Sequence, residues 1–368
     1  MKTLFMGDMS PTVATDPLFE KMDVKALFHD VPTLFDKSDL SFVNLECALT
    51  DSENAIKKFG PNLKAHKNTA EVLKMIGTDI CGLSNNHIFD FGIEGAVDTI
   101  KALDEADILY TGFGENYDDS RKDLIIELDG EKIAIVAVCE HEYSYALEDR
   151  MGSRPFDEFD TMLDIRDVRE KADRVVVIYH GGKEHCRYPS PRLRKLSRAM
   201  IKHGADLVIC QHSHCIGCYE EFMGGHILYG QGNFHFVKAD FLTPALVPTW
   251  NNCLAVEYDT KKNEVNFVPI VVKDYGIELA KGEERKAIMK AFYERNEELK
   301  DGRWNDGWHA FCESVKEGYI NNIGNAGRAD STEQQNAVFG HYLDCEAHTD
   351  VWRELFPTYN LTNEKEVK

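Results

Sequence analysis

Ala205-Asp206-Leu207-Val208-Ile209-Cys210-Gln211-His212-Ser213-His214 is the stretch that decides the fold class. The apolar run Leu207–Cys210 has the length and composition of a buried strand, and it empties directly into Gln-His-Ser-His. The same construction recurs upstream. Thr3–Met6 runs into Gly7-Asp8, and Leu40–Leu45 carries Asn44 and leads to Glu46. Ile80–Leu83 ends in Ser84-Asn85-Asn86-His87, and Arg174–Tyr179 ends in His180-Gly181-Gly182. Each apolar strand thus delivers an Asp, Glu, Asn or His at its carboxyl end. In open α/β sheets that edge is where ligands bind.

Working outward, Lys132–Cys139 and His226–Tyr229 read as further strands, and helical patterns fill the gaps. Asn68 with Glu71 resembles a capping box ahead of Val72, Leu73 and Ile76, stopped by Gly77. Ser190-Pro191 opens a helix with Leu193, Leu196 and Met200 inward and Gly204 at its end. A third helix carries Val97, Ile100 and Leu103. Strands alternating with helices predict a layered α/β domain. Cys253–Tyr258 and Val265–Val272 predict a β-hairpin closing the sheet. From about residue 281 the chain turns helical and charged, and a late helix starting at Ser331-Thr332 is expected to bury Val338, Tyr342 and Cys345. The expected division is a main domain over 1–275 and a helical C-terminal extension over 276–368 packed on it.

The 368 residues include 42 Lys and Arg against 63 Asp and Glu, a net charge of −21. Nucleic acid is a poor partner for such a chain, because phosphate backbones are bound by clustered lysine and arginine. An anionic membrane surface is disfavoured for the same reason. The ten cysteines show no regular disulfide-type spacing, and several sit in apolar runs, as in reduced cytosolic proteins. The opening run is too short for a secretory signal, and no apolar run approaches the roughly 18 residues of a membrane span. A cytoplasmic protein is expected. The Cys215-Ile216-Gly217-Cys218 pair lacks a second matching pair, which argues against a structural zinc site.

Seven of the 14 histidines fall between His180 and His235, several times their even share. Asp8, Glu46, Asn86, His180, His212 and His214 together make an oxygen and nitrogen ligand set suited to manganese, iron or zinc. Two such ions about 3.5–4 Å apart can share a bridging carboxylate and generate a hydroxide nucleophile at neutral pH. On an extended segment His212 and His214 point the same way and would address adjacent ions.

In this order, Gly7-Asp8, Asn44-Leu45-Glu46, Asn85-Asn86-His87 with Asp90-Phe91-Gly92, His180-Gly181-Gly182 with Glu184, Gln211-His212-Ser213-His214 and Gly230-Gln231-Gly232-Asn233-Phe234 resemble the bacterial capsule-synthesis family of the calcineurin-like metallophosphoesterase superfamily. The likeness covers roughly residues 1–240. It implies a four-layer α-β-β-α sandwich with two divalent metal ions. By that likeness Asp8 and His214 hold one ion, Asn86, His180 and His212 the other, and Glu46 bridges them. His87 is then the catalytic histidine and Asp90 its orienting partner. Asn44, Asn85 and Asn233 become candidate substrate contacts, as do Lys183, His185 and Arg187, which supply local positive charge. The sequence departs from the wider superfamily in having Asp8-Met9-Ser10 where Asp-x-His is usual, and a glutamate as the bridge. Gly181 also stands where the family commonly carries an aromatic residue, and His185 nearby is a candidate substitute ligand.

The expected activity is metal-dependent hydrolysis of a phosphoester in a small or oligomeric anionic substrate. The metal-bound hydroxide attacks and His87 serves as the acid. Alternatives are amide or γ-glutamyl chemistry connected with poly-γ-glutamate, or a non-catalytic metal-binding module. Glu140-His141-Glu142-Tyr143 follows a strand and is a candidate for projecting over the site.

Overall fold

The computed structural model describes residues 1–140 and 143–357. Two sheets form its centre. The larger, eight-stranded sheet runs in spatial order Gly276–Leu279, Glu264–Lys273, Asn252–Asp259, Lys2–Met9, Leu40–Leu45, Ile80–Gly82 and Leu109–Thr111. Asn233–His235 pairs in parallel with the end of Lys2–Met9. The six-stranded sheet runs Tyr219–Phe222, Gly225–Leu228, Leu207–Gln211, Arg174–His180, Glu131–Cys139 and Leu124–Leu128. The strands that carry the polar ends are parallel within each sheet, so their carboxyl termini share an edge.

Side chains alternate faces along a strand, and here both faces are dry. In the smaller sheet Ile133, Ile135, Val176, Ile178, Leu207 and Ile209 point into the layer between the sheets, against Phe5, Phe42 and Leu254 of the larger one. The intervening Ala134, Val136, Val175, Val177 and Val208 face helices Asp160–Arg169 and Pro191–His203 through Ile165, Leu193 and Met200. On the far side, Leu4, Met6 and Val43 meet Phe19, Phe28, Leu73 and Leu103. The result is the expected four-layer α-β-β-α sandwich. Each of the larger side chains gains about 1.5–3 kcal/mol from burial, and truncating one, as in Ile178→Ala, costs about 2–5 kcal/mol.

Some local expectations change. Asn68 does not cap its helix. Lys67 holds that position without a side-chain bond, because the Asn68 amide donates instead to the Glu20 carbonyl at 2.8 Å. Val97 is exposed, and Ala96, Thr99 and Leu103 form the inward face. Ser190 caps as expected, accepting from the Leu193 amide at 3.0 Å.

Gly276–Leu279 completes the large sheet, so the helical extension starts at Gly282. It comprises helices Gly282–Asp301, Trp304–Asn325, Glu333–Asp344 and Glu346–Leu355. Phe292 enters the layer between the sheets, which ties the extension to the main core. In the Glu333–Asp344 helix Val338 and Tyr342 are only half-buried, while Cys345, just past its end, is buried. No helix among the described residues is long and apolar enough to cross a membrane.

Candidate metal centre

The two sheets bring their polar strand ends to one buried cluster. Asp8 pairs in register with Asn44 after a bulge at Gly7, and His180 pairs with Gln211. Gly7 must lack a side chain, since a Cβ there would lie 2.1 Å from the Gly232 carbonyl oxygen. His180 Nε2 lies 2.9 Å from Asn86 Oδ1 and 3.3 Å from Glu46 Oε1. His214 lies 3.5 Å from Asp8 through Nδ1 and 4.0 Å from Glu46 Oε1 through Nε2. The His180 and His212 rings sit 4.9 Å apart. Ligands about 2.1 Å from a common cation stand about 3–3.5 Å from one another, so the spacings around His180 Nε2 suit a shared ion.

The donor set passes a second test. Both carboxylate oxygens of Glu46 and Nδ1 of His212 are buried with no hydrogen-bond partner among the described residues. Burial pushes the Glu46 carboxyl up to about 8. Burial and then the nearby Glu46 push Asp8 up to about 7. Burial also holds His180 down at about 4 and His212 at about 3, so the imidazoles are neutral, as metal ligands must be. A buried carboxylate left unpaired costs several kcal/mol, and a cation removes that cost. Glu46 with His180 and His212, Asp8 with Glu46 and His214, and Glu184 with His212 and His214 each converge closely enough to hold a metal ion.

Glu184 therefore joins the candidate ligands, whereas Ser10 turns its hydroxyl to the Pro11 carbonyl. No group that converges for a metal among the described residues contains a cysteine. Cys215 and Cys218 instead direct their thiols to the carbonyls of Cys186 and Arg187. His212 and His214 are not on an extended segment. Both adopt left-handed backbone, with φ of 75° and 52°. Such conformations cost about 1–2 kcal/mol and gather at functional sites. The turn is pinned by the His212 amide on Asp8 Oδ2 at 2.9 Å and the His185 amide on the Ser213 carbonyl at 2.8 Å.

Several residues expected to touch substrate form hydrogen bonds that brace the cluster. Asn44 donates to Asp8 Oδ1 at 2.8 Å and reaches His180 Nδ1 at 3.2 Å. Asn85 donates to the Leu45 carbonyl and to Asn44, and its own Oδ1 accepts the His87 and Ile88 amides. Asn233 Oδ1 lies 2.8 Å from His214 Nδ1, which leaves Nε2 of that ring for a ligand. Lys183 lies 3.7 Å from Glu184, and the His185 ring stands 6.3 Å from that of His214. Arg187 faces a separate cavity with Arg295. Glu140 is not over the site. Its carboxylate takes the Tyr179 hydroxyl, the Gly182 amide and Arg192, and its side chain fills the space where a Cβ at Gly181 would fall. That explains the glycine. His141 and Glu142 lie outside the described residues.

His87 Nδ1 lies 2.7 Å from Asp90 Oδ2, and Lys58 pairs with the other oxygen of Asp90 at 2.5 Å. The Leu63 amide also donates to Asp90. Although burial pushes the Asp90 carboxyl up, His87 and Lys58 hold it below its ordinary value. Lys58 has no motif around it; only the folding of its loop onto Asp90 reveals it. Beside it opens a cleft of about 650 Å³ lined by Lys57, Phe59, Tyr143, Glu333, His341 and Asp344. The helical extension thus forms one wall, with His341 stacked on Tyr143 at 5.5 Å.

Residues 2–238 match the model of the family described as bacterial capsule synthesis protein PGA_cap. The chain belongs to this family. The PGA_cap family lies within the metallophosphoesterase-like superfamily. The chain is 32% identical over 241 residues to a capsule biosynthesis protein CapA of Bacillus anthracis, covering 63% of this chain and 58% of that relative's length. It is 28% identical over 265 residues to a PGA biosynthesis protein CapA of Bacillus subtilis strain 168, covering 70% of this chain and 67% of that one. A hypothetical protein from Thermus thermophilus aligns structurally over 76% of this chain and 98% of its own, at 16% identity and a TM-score of 0.42. The PGA_cap match ends at residue 238, so the hairpin and the helical extension that walls the cleft lie beyond it.

Proposed function

We propose that this PGA_cap protein is a metal-dependent hydrolase that cleaves a phosphoester in an anionic small or oligomeric substrate. The observation that carries the reading is Glu46, buried and unpaired among neutral imidazoles and a second carboxyl. Two divalent ions, of manganese, iron or zinc, suit Asp8, Glu46, Asn86, His180, Glu184, His212 and His214, and when bound would supply Lewis acidity and an activated water. The remaining work falls to the chain. Asp90, held ionised by His87 and Lys58, anchors Nδ1 of His87 at 2.7 Å, which leaves Nε2 as the atom that exchanges a proton with the leaving oxygen. A positioned acid of this kind contributes about 10²–10⁴-fold. The ten buried thiols support a reducing, cytoplasmic setting.

The test is metal analysis of the purified protein, followed by assay of an aryl phosphodiester with Mn²⁺. Equal metal content in wild type and His212→Ala would sink the site. A second reading, hydrolysis or transfer at a γ-glutamyl amide, is favoured by the PGA biosynthesis named for the Bacillus subtilis relative. Cleavage of γ-glutamyl peptides in place of phosphodiesters decides for it. Unchanged turnover in His87→Ala would remove His87 as the acid, and absence of turnover of either substrate by metal-loaded wild type would leave a binding module.

A further inference from the structure

The protein pairs its buried cations with carboxylates almost everywhere. Lys58 has Asp90, Arg154 has Asp164, and Arg192 has Glu140 and Asp350. Arg295 breaks the pattern. It is 8% exposed, and the one side-chain hydrogen bond it has among the described residues runs from Nε to the Gly217 carbonyl at 3.2 Å. Glu298, one turn on, is taken by the Tyr188 hydroxyl and Arg303. With its inner edge anchored, the guanidinium lines a cavity of about 230 Å³. Arg187, also without a carboxylate partner among the described residues, lines the same cavity, together with Ile216, Thr249, Asn252 and Ile288. Burial, with a further contribution from Arg187, depresses Arg295 below its ordinary value.

Two arginines facing one small cavity repel each other, and burying one without a counter-charge is costly. No acidic residue among the described residues lines this cavity. Guanidinium groups are shaped for two-point contact with carboxylate or phosphate oxygens. We propose that Arg187 and Arg295 form a binding site for the oxyanion of a small ligand, separate from the metal centre. The two sites share a wall. Trp250 lies against the His214 ring, 4.5 Å between centroids, while its neighbour Thr249 lines the arginine cavity. The arginine site does not depend on the metal reading, since none of its residues converges with the candidate ligands.

Calorimetric titration of the full chain, stripped of metal on a chelating resin, tests this with two probes, inorganic phosphate and L-glutamate. Saturable binding of either probe to wild type is expected. Arg187→Gln and Arg295→Gln should each weaken it about tenfold or more, the loss of one charge-assisted pair. Preference for phosphate identifies a phosphoryl group as the ligand, and preference for glutamate a carboxylate. Should Arg295→Gln fail to fold, the exposed Arg187→Gln decides alone, with circular dichroism as the control. Absence of binding by wild type up to roughly 10 mM of both probes overturns the site, and so does unchanged affinity in Arg187→Gln. Metal content stays at the wild-type level in both variants, so failure here leaves the metal centre untouched.

Discussion

Glu46 and Glu140 occupy matching places in the two sheets, each one residue past a buried parallel strand and each almost wholly inaccessible. Their surroundings are opposite. Glu140 accepts from Tyr179, the Gly182 amide and Arg192, and although burial pushes its carboxyl up, Arg192 brings it below the usual range. Glu46 has no hydrogen-bond partner among the described residues, and burial takes it up to about 8. A glutamate with a built-in cation holds structure: Glu140 clamps the loop that leads from His180 to Glu184 through the Gly182 amide. A glutamate kept unpaired beside imidazoles is suited to a cation from solution.

The comparison breaks most visibly on the metal. Glu46→Ala and His212→Ala should each abolish stoichiometric metal and lower phosphodiesterase turnover by about 10³-fold or more, since metal charge stabilisation is worth several kcal/mol. Retention of full metal by Glu46→Ala would end the contrast. Next come the stabilities of the two glutamine variants in metal-stripped protein at pH 8. Glu140→Gln should cost about 3 kcal/mol by weakening a buried ion pair. Glu46→Gln should raise the denaturation midpoint. Shifts of the same sign in both would show that the two sites are alike.

A smaller effect is the pH dependence of the stripped protein. Asp8 and Glu46 protonate at about 7 and 8 in the fold, against ordinary values of 3.8 and 4.5. The folded state therefore holds more protons than the unfolded chain, and stability falls as pH rises towards 8. His180 and His212, at about 4 and 3, act in the opposite sense but only below their ordinary 6.5. Between pH 6.5 and 8 the carboxyls dominate, and the loss should be on the order of 2 kcal/mol. Thermal melts should show Tm dropping across that window without metal and holding with saturating Mn²⁺. The smallest expected change is Lys58→Met, which should reduce turnover about tenfold, some 1.4 kcal/mol, with metal content intact. Turnover equal to wild type would remove Lys58 from the machinery.

Much of this was legible in one dimension. Strands buried on both faces are continuous apolar runs, so Val175–Tyr179 and Leu207–Cys210 announce themselves, and the polar residue that ends each run marks the shared edge. Asp8, Glu46, Asn86, His180, His212 and His214 are readable for that reason. Lys58 is not, because its partner Asp90 is 32 residues away and no local period links them. Nor are the roles of Asn44 and Asn85, since an amide looks the same whether it meets substrate or braces a carboxylate. The left-handed turns at His212 and His214 are imposed by Asp8 and His185 from other elements.

The amino-acid sequence alone therefore determined the layered α/β class, the polar strand edge and most of the candidate ligands gathered there, because burial and ligand chemistry are properties of residue type and spacing. Tertiary structure decided which charges are paired and which are left open. It separated Glu46 from Glu140 and placed Arg187 with Arg295 rather than among the candidate metal ligands. It also brought His341 of the extension to the wall of the cleft. Pairing depends on distances of a few ångströms between residues far apart in the chain, and only the packed sheets and helices set those distances.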